Sequence, residues 1–189
     1  MNTTHSAQRV GIFIDVQNIY HSAKNLYQAR VNFQELIKFA VGKRVLIRSV
    51  AYVVKSDVGE NENKEMTKEE SFFEALRKTG LELRLKDLQV FAGGMKKADW
   101  DVGMAVDAIR MAGSVDVIIL VTGDGDFVPL IEYLKWGLGK QVEVAAFSRT
   151  TSGKLREVAD RFIEIENIPR ILLKIRNQKP EGKKLRKYA

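Results

Sequence analysis

Residues 115–130 read VDVIILVTGDGDFVPL, and this stretch decides the fold class. Val115–Val121 is an apolar, β-branched run of the length expected for a strand buried in a sheet. The segment TGDGD follows, and its two glycines permit a sharp turn. A helix is predicted over Phe127–Gly137, with Pro129 in the first turn, where proline is tolerated. A buried strand that turns directly into a helix is typical of an α/β fold.

The same alternation extends in both directions from this stretch. Strands are predicted over residues 10–16, 44–54, 81–85, 88–91, 141–147 and 161–166, and helices up to residue 29 and over 33–41, 67–79, 99–112 and 152–159. Residues 55–66 are predicted to form a loop, and Thr67 with Glu70 a capping box. Strands that alternate with helices pair in parallel and are covered on both faces.

The sequence therefore predicts an α/β fold with a central, mainly parallel sheet. We expect one domain over residues 9–168, preceded by a flexible N-terminus (1–8) and followed by a basic tail (169–189). The oligomeric state stays open, a homo-oligomer included.

The composition limits the available chemistry. The chain has 189 residues, of which 45% are hydrophobic and 29% charged, as expected for one globular domain. It has no cysteine, which excludes disulfides and thiolate zinc sites, and only two histidines, His5 and His21. Carboxylates are therefore the expected catalytic groups. Because the first residues are polar and no apolar run of about 18 residues occurs, we expect a cytoplasmic protein without a membrane partner.

The net charge of +7 is distributed unevenly. Residues 174–189 contain seven lysines and arginines against Glu181 alone, so the remainder of the chain carries a net charge of only +1. A basic tail can bind nucleic-acid phosphates without sequence preference, or it can simply be a solvated terminus. Both interpretations fit the sequence.

Aspartates follow two of the predicted strands. Asp15 ends the first strand, with Asn18 three residues later, and Asp124 and Asp126 follow the strand that ends at Val121. In a doubly wound sheet, ligands bind outside the carboxyl ends of the strands. Each motif alone could be a helix cap, Asp126 for the helix at residue 127 included. Together they predict a carboxylate site for a hard divalent cation, because clustered anions need a cation to neutralise them.

A third acidic motif, KKADWDVGMAVDA, covers residues 96–108. Asp99 is the expected cap of its helix, and Asp101, nearest the helix start, is the expected ligand. Asp107 lies six residues further on, roughly 120° around the helix axis. It is therefore expected to pair with Arg110 or to support the ligands.

Four segments of the chain, taken in order, resemble a known family. The order IDVQN (14–18), KKADWDVGMAVDA (96–108), VTGDGDF (121–127) and PLIEYLKWGLGKQVEV (129–144) is similar to the NYN domain, LabA-like branch of PIN-like nucleases, over residues 9–166. The resemblance implies a PIN-like three-layer α/β/α sandwich. It also implies a metal-dependent ribonuclease with Mg²⁺ or Mn²⁺ as cofactor and RNA as partner, and single-stranded DNA also fits.

The resemblance assigns roles by position. The catalytic residues it implies are Asp15, Asn18, Asp101, Asp124 and Asp126, and the four aspartates are the implied metal ligands; Asp99, Asp107 and Thr122 are secondary. By position, the candidate substrate contacts are Lys96 and Lys97, before the site, and Arg149 and Lys154, after another strand. A solvated loop fits Lys96 and Lys97 equally well. The chain departs from the usual pattern at Val16-Gln17, where the family more often has Gly-Ser, and at Thr122 and Gly125, where a serine is more usual. These departures affect the expected substrate preference and leave the carboxylates intact.

Other functions remain as alternatives. The first is a catalytically weak or inactive RNA- or protein-binding regulator of the LabA-like type. A haloacid dehalogenase-type phosphatase would need a second aspartate at position 17, which is glutamine, and a Toprim-like domain would need a glutamate where Asp15 stands. A Rossmann nucleotide-binding domain would need a GxGxxG or P-loop motif, and neither occurs.

Overall fold

The computed structural model of the protein describes residues 5–55, 62–87, 89–90, 96–97 and 99–174; of residues 62–67, 89–90 and 96–97 only the backbone is described. The strands are β1 (Arg9–Asp15), β2 (Ala29–Val31), β3 (Val45–Lys55), β4 (Glu82–Asp87), β5 (Gln89–Val90), β6 (Lys96–Lys97), β7 (Val117–Val121), β8 (Gln141–Ala146), β9 (Arg161–Glu164) and β10 (Leu172–Lys174). The helices are α1 (Val16–Tyr27), α2 (Phe33–Val41), α3 (Glu62–Lys78), α4 (Asp101–Met111), α5 (Val128–Glu132) and α6 (Gly153–Val158).

Six strands form the central sheet in the order β4-β3-β1-β7-β8-β9. Every pair of neighbours in it is parallel. From β1 the chain first builds outward through β3 and β4, and it then returns to place β7, β8 and β9 on the other side of β1. The strand order therefore reverses between β1 and β7, and ligands bind at such a switch point in doubly wound sheets.

Helices cover both faces of the sheet. On one face the core includes Ile19 of α1, Leu36 of α2 and Leu76 of α3. On the other it includes Met104 of α4, Ile131 of α5 and Leu155 of α6. The predicted α/β/α sandwich with a parallel sheet is thus confirmed. The strands inside it are apolar throughout because both their faces are buried: every residue of β7 is fully buried.

Several local predictions were wrong. Helix α3 begins at Glu62, so residues 62–66 are not a loop and Thr67 lies inside the helix rather than in a capping box; residues 56–61 of the predicted loop lie outside the described part. The predicted cap of α4 was also wrong, because Trp100 occupies the N-cap position, not Asp99.

Three short strands, β2, β6 and β10, were not predicted. β2 and β10 pair antiparallel, with Leu172 opposite Val31. β10 lies in the segment predicted to be tail, and its pairing attaches residues 172–174 to the body. No helix of the described residues has the length and apolarity needed to cross a membrane.

Candidate metal centre

A cavity of about 210 Å³ opens at the carboxyl ends of β1 and β7, next to the start of α4. Strand β1 ends at Asp15, strand β7 ends one residue before Thr122, and α4 begins at Asp101. The residues that line the cavity are Asp15, Gln17, Asn18, Tyr52, Asp99, Trp100, Asp101 and Asp124. The three acidic motifs of the sequence thus meet at the switch point of the sheet.

The loop after β7 is fixed by hydrogen bonds that leave its carboxylates near one another. The buried Thr122 hydroxyl accepts a bond from the Asp124 amide, at 3.2 Å. The Asp124 carboxylate accepts one from the Asp126 amide, at 3.0 Å, so Asp124 rather than Asp126 caps the turn that follows. The Asn18 side-chain oxygen accepts a bond from the Gly123 amide, also at 3.0 Å. The Asn18 side chain therefore connects α1 to this loop.

Carboxylate oxygens of Asp101, Asp124 and Asp126 all lie within 4.8 Å of one another. Asp101 and Asp124 are half-buried, and Asp126 is exposed. Asp15 does not belong to this group, although it lines the same cavity. Such spacing suits oxygen coordination of one hard divalent cation, which can retain water molecules in its remaining positions.

The Asp15 carboxylate has a second role as the N-cap of α1. It accepts a hydrogen bond of 3.0 Å from the Asn18 amide. Burial raises its pKa, and the nearby carboxylates of Asp101 and Asp124 raise it further, against the lowering effect of hydrogen bonds from the Asn18 and Gln17 backbone. Ionised Asp15 is therefore unfavourable in the metal-free fold, and a bound cation would relieve that cost.

Replacing Asp15 by asparagine is expected to stabilise the metal-free protein. Asparagine caps helices as well as aspartate does, and it removes a buried charge that faces two other carboxylates. We expect Tm in EDTA to rise by about 2–4 °C, the shift that ~1 kcal/mol produces in a chain of this size. Differential scanning fluorimetry with EDTA measures this shift.

The stability difference between Asp15→Asn and wild type should depend on pH, because the pKa of Asp15 is raised in the folded protein. Between its ordinary and its folded pKa the folded state binds more protons, so the Asp15 contribution to stability falls as pH rises through this window. The stability advantage of the variant should therefore be complete above the folded pKa of Asp15 and vanish as pH falls to the ordinary carboxyl range. If Asp15→Asn were less stable than wild type at neutral pH in EDTA, this would contradict the inference that ionised Asp15 destabilises the metal-free fold.

Asp107 lies apart from the carboxylate group. Its carboxylate accepts a hydrogen bond of 2.9 Å from the Tyr52 hydroxyl, and it lies 3.3 Å from Arg84 Nε. The predicted pair with Arg110 is present at 3.9 Å, but it is the longest of the three contacts. Burial and the Asp107 bond both raise the pKa of the Tyr52 hydroxyl, which therefore remains a proton donor. These bonds tie α4 to β3 and β4.

Sequence reasoning missed Tyr52. It pairs with Asp15 in the β1–β3 register and lines the cavity. The signal that could have found it is a hydroxyl-bearing residue in the carboxyl half of a predicted strand. Because β3 continues to Lys55, Tyr52 did not stand at a strand end in the sequence.

Trp100 and Asp99 form the wall of the cavity on the α4 side. The Trp100 indole N–H donates a hydrogen bond of 3.0 Å to the Val53 carbonyl, and its ring centroid lies 5.5 Å from that of Tyr52. Lys86 Nζ donates a bond of 2.9 Å to the Asp99 carbonyl oxygen. Trp100 is thus packed and hydrogen-bonded while one side of it faces the cavity.

Two of the predicted substrate contacts, Arg149 and Lys154, are not among the residues that line the cavity. Arg149 and Lys154 are exposed, in the 3₁₀ turn Ser148–Thr150 and in α6. The side chains of Lys96 and Lys97 lie outside what the structure describes, and their backbone forms β6. Four aspartates and no lysine or arginine are among the described residues that line the cavity, so its chemistry favours a cation.

Three comparisons relate the chain to known proteins. The model of the NYN domain family matches residues 9–166. The Low amplitude and bright protein LabA of Synechococcus elongatus is 30% identical over 119 residues, which are 58% of this chain and 61% of LabA. The chain thus spans about three fifths of the length of that relative. A solved structure of a protein of unknown function from Vibrio parahaemolyticus is 32% identical, with a TM-score of 0.78, over 90% of this chain and 99% of that one.

Proposed function

The chain belongs to the NYN domain family, and we propose that it is a metal-dependent ribonuclease that hydrolyses RNA phosphodiester bonds at the cavity between β1 and β7. The observation that carries the proposal is the group of Asp101, Asp124 and Asp126, whose oxygens lie within 4.8 Å of one another. Three carboxylates this close repel one another, and a divalent cation removes that repulsion.

The donor set fits Mg²⁺ or Mn²⁺. Both ions prefer carboxylate and water oxygens, and the cavity offers carboxylates without cysteine or histidine among its described lining residues. In the proposal, Asp101, Asp124 and Asp126 hold the ion, and Asp15 lies beside them as a fourth carboxylate. A bound ion of this kind supplies Lewis-acid catalysis, in which water is activated and charge on the phosphoryl group is stabilised.

In the proposal, the other residues of the site orient the metal ligands or contact the substrate. Asn18 holds the Gly123 amide, and Thr122 holds the Asp124 amide, so both fix the direction of the loop carboxylates. In the proposal, Arg149 and Lys154 contact RNA phosphates on the rim, and Lys96 and Lys97 do so on the α4 side. Single-stranded DNA remains a second substrate that this arrangement accommodates.

A cleavage assay tests the proposal. Labelled RNAs of mixed structure are incubated with the purified protein in Mg²⁺, in Mn²⁺ and in EDTA. We expect cleavage with either metal and none in EDTA, and a rise in Tm when metal is added in the absence of RNA.

The alternative is an RNA- or protein-binding regulator with little or no turnover. The similarity to LabA favours the regulator, because a LabA-like resemblance implies a regulatory role as well as a nuclease. Binding of metal and RNA without cleavage under all metal conditions would support the regulator and overturn the nuclease.

A further inference from the structure

Helix α1 begins in the metal cavity, and its exposed side carries a row of four residues. Gln17 lines the cavity, and Tyr20, His21 and Lys24 follow at spacings of three, four and seven residues. At 3.6 residues per turn these positions fall within roughly 100° of one another around the helix axis. They form one continuous face, called here the α1 row, that leads away from the site along the helix.

The exposed part of the α1 row consists of two aromatic residues, Tyr20 and His21, followed by one cation, Lys24. Tyr20 is 38% exposed, and His21 and Lys24 are also exposed. The two rings meet edge to face, with centroids 5.5 Å apart, and Lys24 Nζ lies 5.9 Å from the centroid of the Tyr20 ring. Aromatic faces beside a cation are the groups that bind single-stranded nucleic acids, because bases stack on the rings and phosphates pair with the cation.

The α1 row lies on the side of the helix opposite the residues that pack into the core. The buried residues of the helix are Val16, Ile19, Ser22 and Ala23, which attach the opposite side of α1 to the protein. Tyr20, His21 and Lys24 all keep exposed surface, 38% of it in the case of Tyr20. A lone exposed aromatic residue is ordinary. This row instead starts in the cavity at Gln17, one turn before Tyr20.

Helix α1 also contacts a loop with a candidate phosphate contact, through Ser22 on its buried side. The Thr150 hydroxyl donates a hydrogen bond of 2.9 Å to the Ser22 hydroxyl, which joins α1 to the turn Ser148–Thr150. Arg149, in the middle of that turn, is exposed. Positive charge therefore lies beside α1 as well as on it, next to a cavity that is itself acidic.

We propose that the α1 row is a binding subsite for single-stranded RNA, in which bases stack on Tyr20 and His21 and Lys24 contacts a phosphate. The strand enters the metal cavity past Gln17. The inference rests on the proposed ribonuclease function and narrows its substrate to unpaired strands. In a duplex the base faces are covered by neighbouring bases, so two protein rings on a helix surface cannot reach them.

Binding to a cleavage-deficient protein tests this subsite without catalysis. Fluorescence anisotropy of a labelled 12-nucleotide RNA is measured with the Asp124→Asn variant as background. Adding Tyr20→Ala and His21→Ala together should weaken binding by at least about tenfold, since stacking contributes about 1–3 kcal/mol per base. Adding Tyr20→Phe alone should leave affinity unchanged, because the ring and not the hydroxyl does the stacking.

A matched control removes an exposed aromatic ring elsewhere. Trp136 is 84% exposed and follows α5, in the helix layer on the other side of the sheet. Trp136→Ala should leave the affinity unchanged. Alanine favours helix, so the α1 substitutions should not unfold the exposed side of α1, and the Tm of each variant checks this.

The salt dependence tests Lys24 separately. A lysine that contacts one phosphate of a single strand contributes about 0.7 to the slope of log affinity against log salt concentration. Lys24→Ala should lower the slope by that amount. An unchanged slope would remove Lys24 from the subsite.

The outcomes separate this inference from the proposed function. If the protein cleaves RNA with metal, but the Tyr20 and His21 substitutions leave its RNA affinity unchanged, the subsite is overturned and the nuclease proposal stands. Loss of affinity on those substitutions, in a protein that cleaves nothing, would support the subsite and overturn the nuclease. Equal affinity for a blunt duplex of the same sequence would overturn the single-strand assignment.

Discussion

Replacing Asp124 by asparagine is expected to reduce metal-dependent RNA cleavage by at least about 10²-fold, because substitution of residues that merely support metal ligands already costs about 10–100-fold. Asparagine keeps an oxygen to accept the Asp126 amide, whose present bond to Asp124 is 3.0 Å long. The loop should therefore keep its conformation, and the variant loses one negative charge of the group formed with Asp101 and Asp126. Cleavage rates at saturating Mg²⁺ or Mn²⁺ measure the effect.

The same strand provides a matched control. Asp116 lies one residue before β7, at the opposite edge of the sheet, and pairs with Arg9 at 2.8 Å. This ion pair is on the surface, and it holds the pKa of Asp116 at about 2. Asp116→Asn makes the same chemical change at the edge opposite the metal cavity, so cleavage should remain at the wild-type level. Cleavage by the Asp124 variant at the wild-type rate would place the active site elsewhere.

Replacing Glu143 by leucine is expected to lower the free energy of unfolding by about 3–5 kcal/mol, the usual cost of leaving one member of a buried ion pair alone. The Arg44 and Glu143 side chains are 3% and 0% exposed. Their two hydrogen bonds measure 2.7 and 2.9 Å. Arg44 also donates to the Ala40 and Val41 carbonyls, at 2.6 and 3.0 Å, at the end of α2. Glu143 lies in β8, so the pair joins α2 to the sheet.

Urea unfolding followed by circular dichroism measures this loss. The informative control is the double variant Arg44→Met, Glu143→Leu, in which both charges are replaced by apolar side chains. The double variant should recover most of the lost free energy of unfolding, because the buried Arg44 charge is then no longer left without its partner. Arg161, which lies 3.6 Å from Glu143, is 32% exposed and can be solvated. A single variant as stable as wild type would show that Arg44 reaches solvent or another partner when Glu143 is removed.

The main features of the fold could be predicted from the sequence because they depend on local periodicity. β7 is apolar at every position, since both faces of a central parallel strand are buried. Asp15 and Asp124 stand just after such strands, and parallel strands bring their carboxyl ends to one edge. The edge of the sheet that carries the acidic cavity therefore followed from chain direction alone. Whether its residues are catalytic stays a prediction.

Predictions that depended on single local signals were less successful. Asp99 was expected to cap α4, but the helix begins at Asp101, and Asp99 lines the cavity. Helix α3 starts five residues before the position that the Thr67 and Glu70 pattern indicated. A polar residue can serve as a cap, a helix residue or a wall of a site, and residue type alone does not distinguish these roles.

The sequence by itself determined the α/β class, the order along the chain of the strands that form the central sheet, and the aspartates that lie at the carboxyl edge of that sheet. Only the tertiary structure decided which side chains meet there. The Tyr52 hydroxyl reaches Asp107, and Asn18 reaches Gly123 105 residues away. Helical and strand periodicity reports which face of an element is buried. Contacts between distant residues depend instead on which strands are neighbours and in what register, and that is fixed by packing of the whole domain.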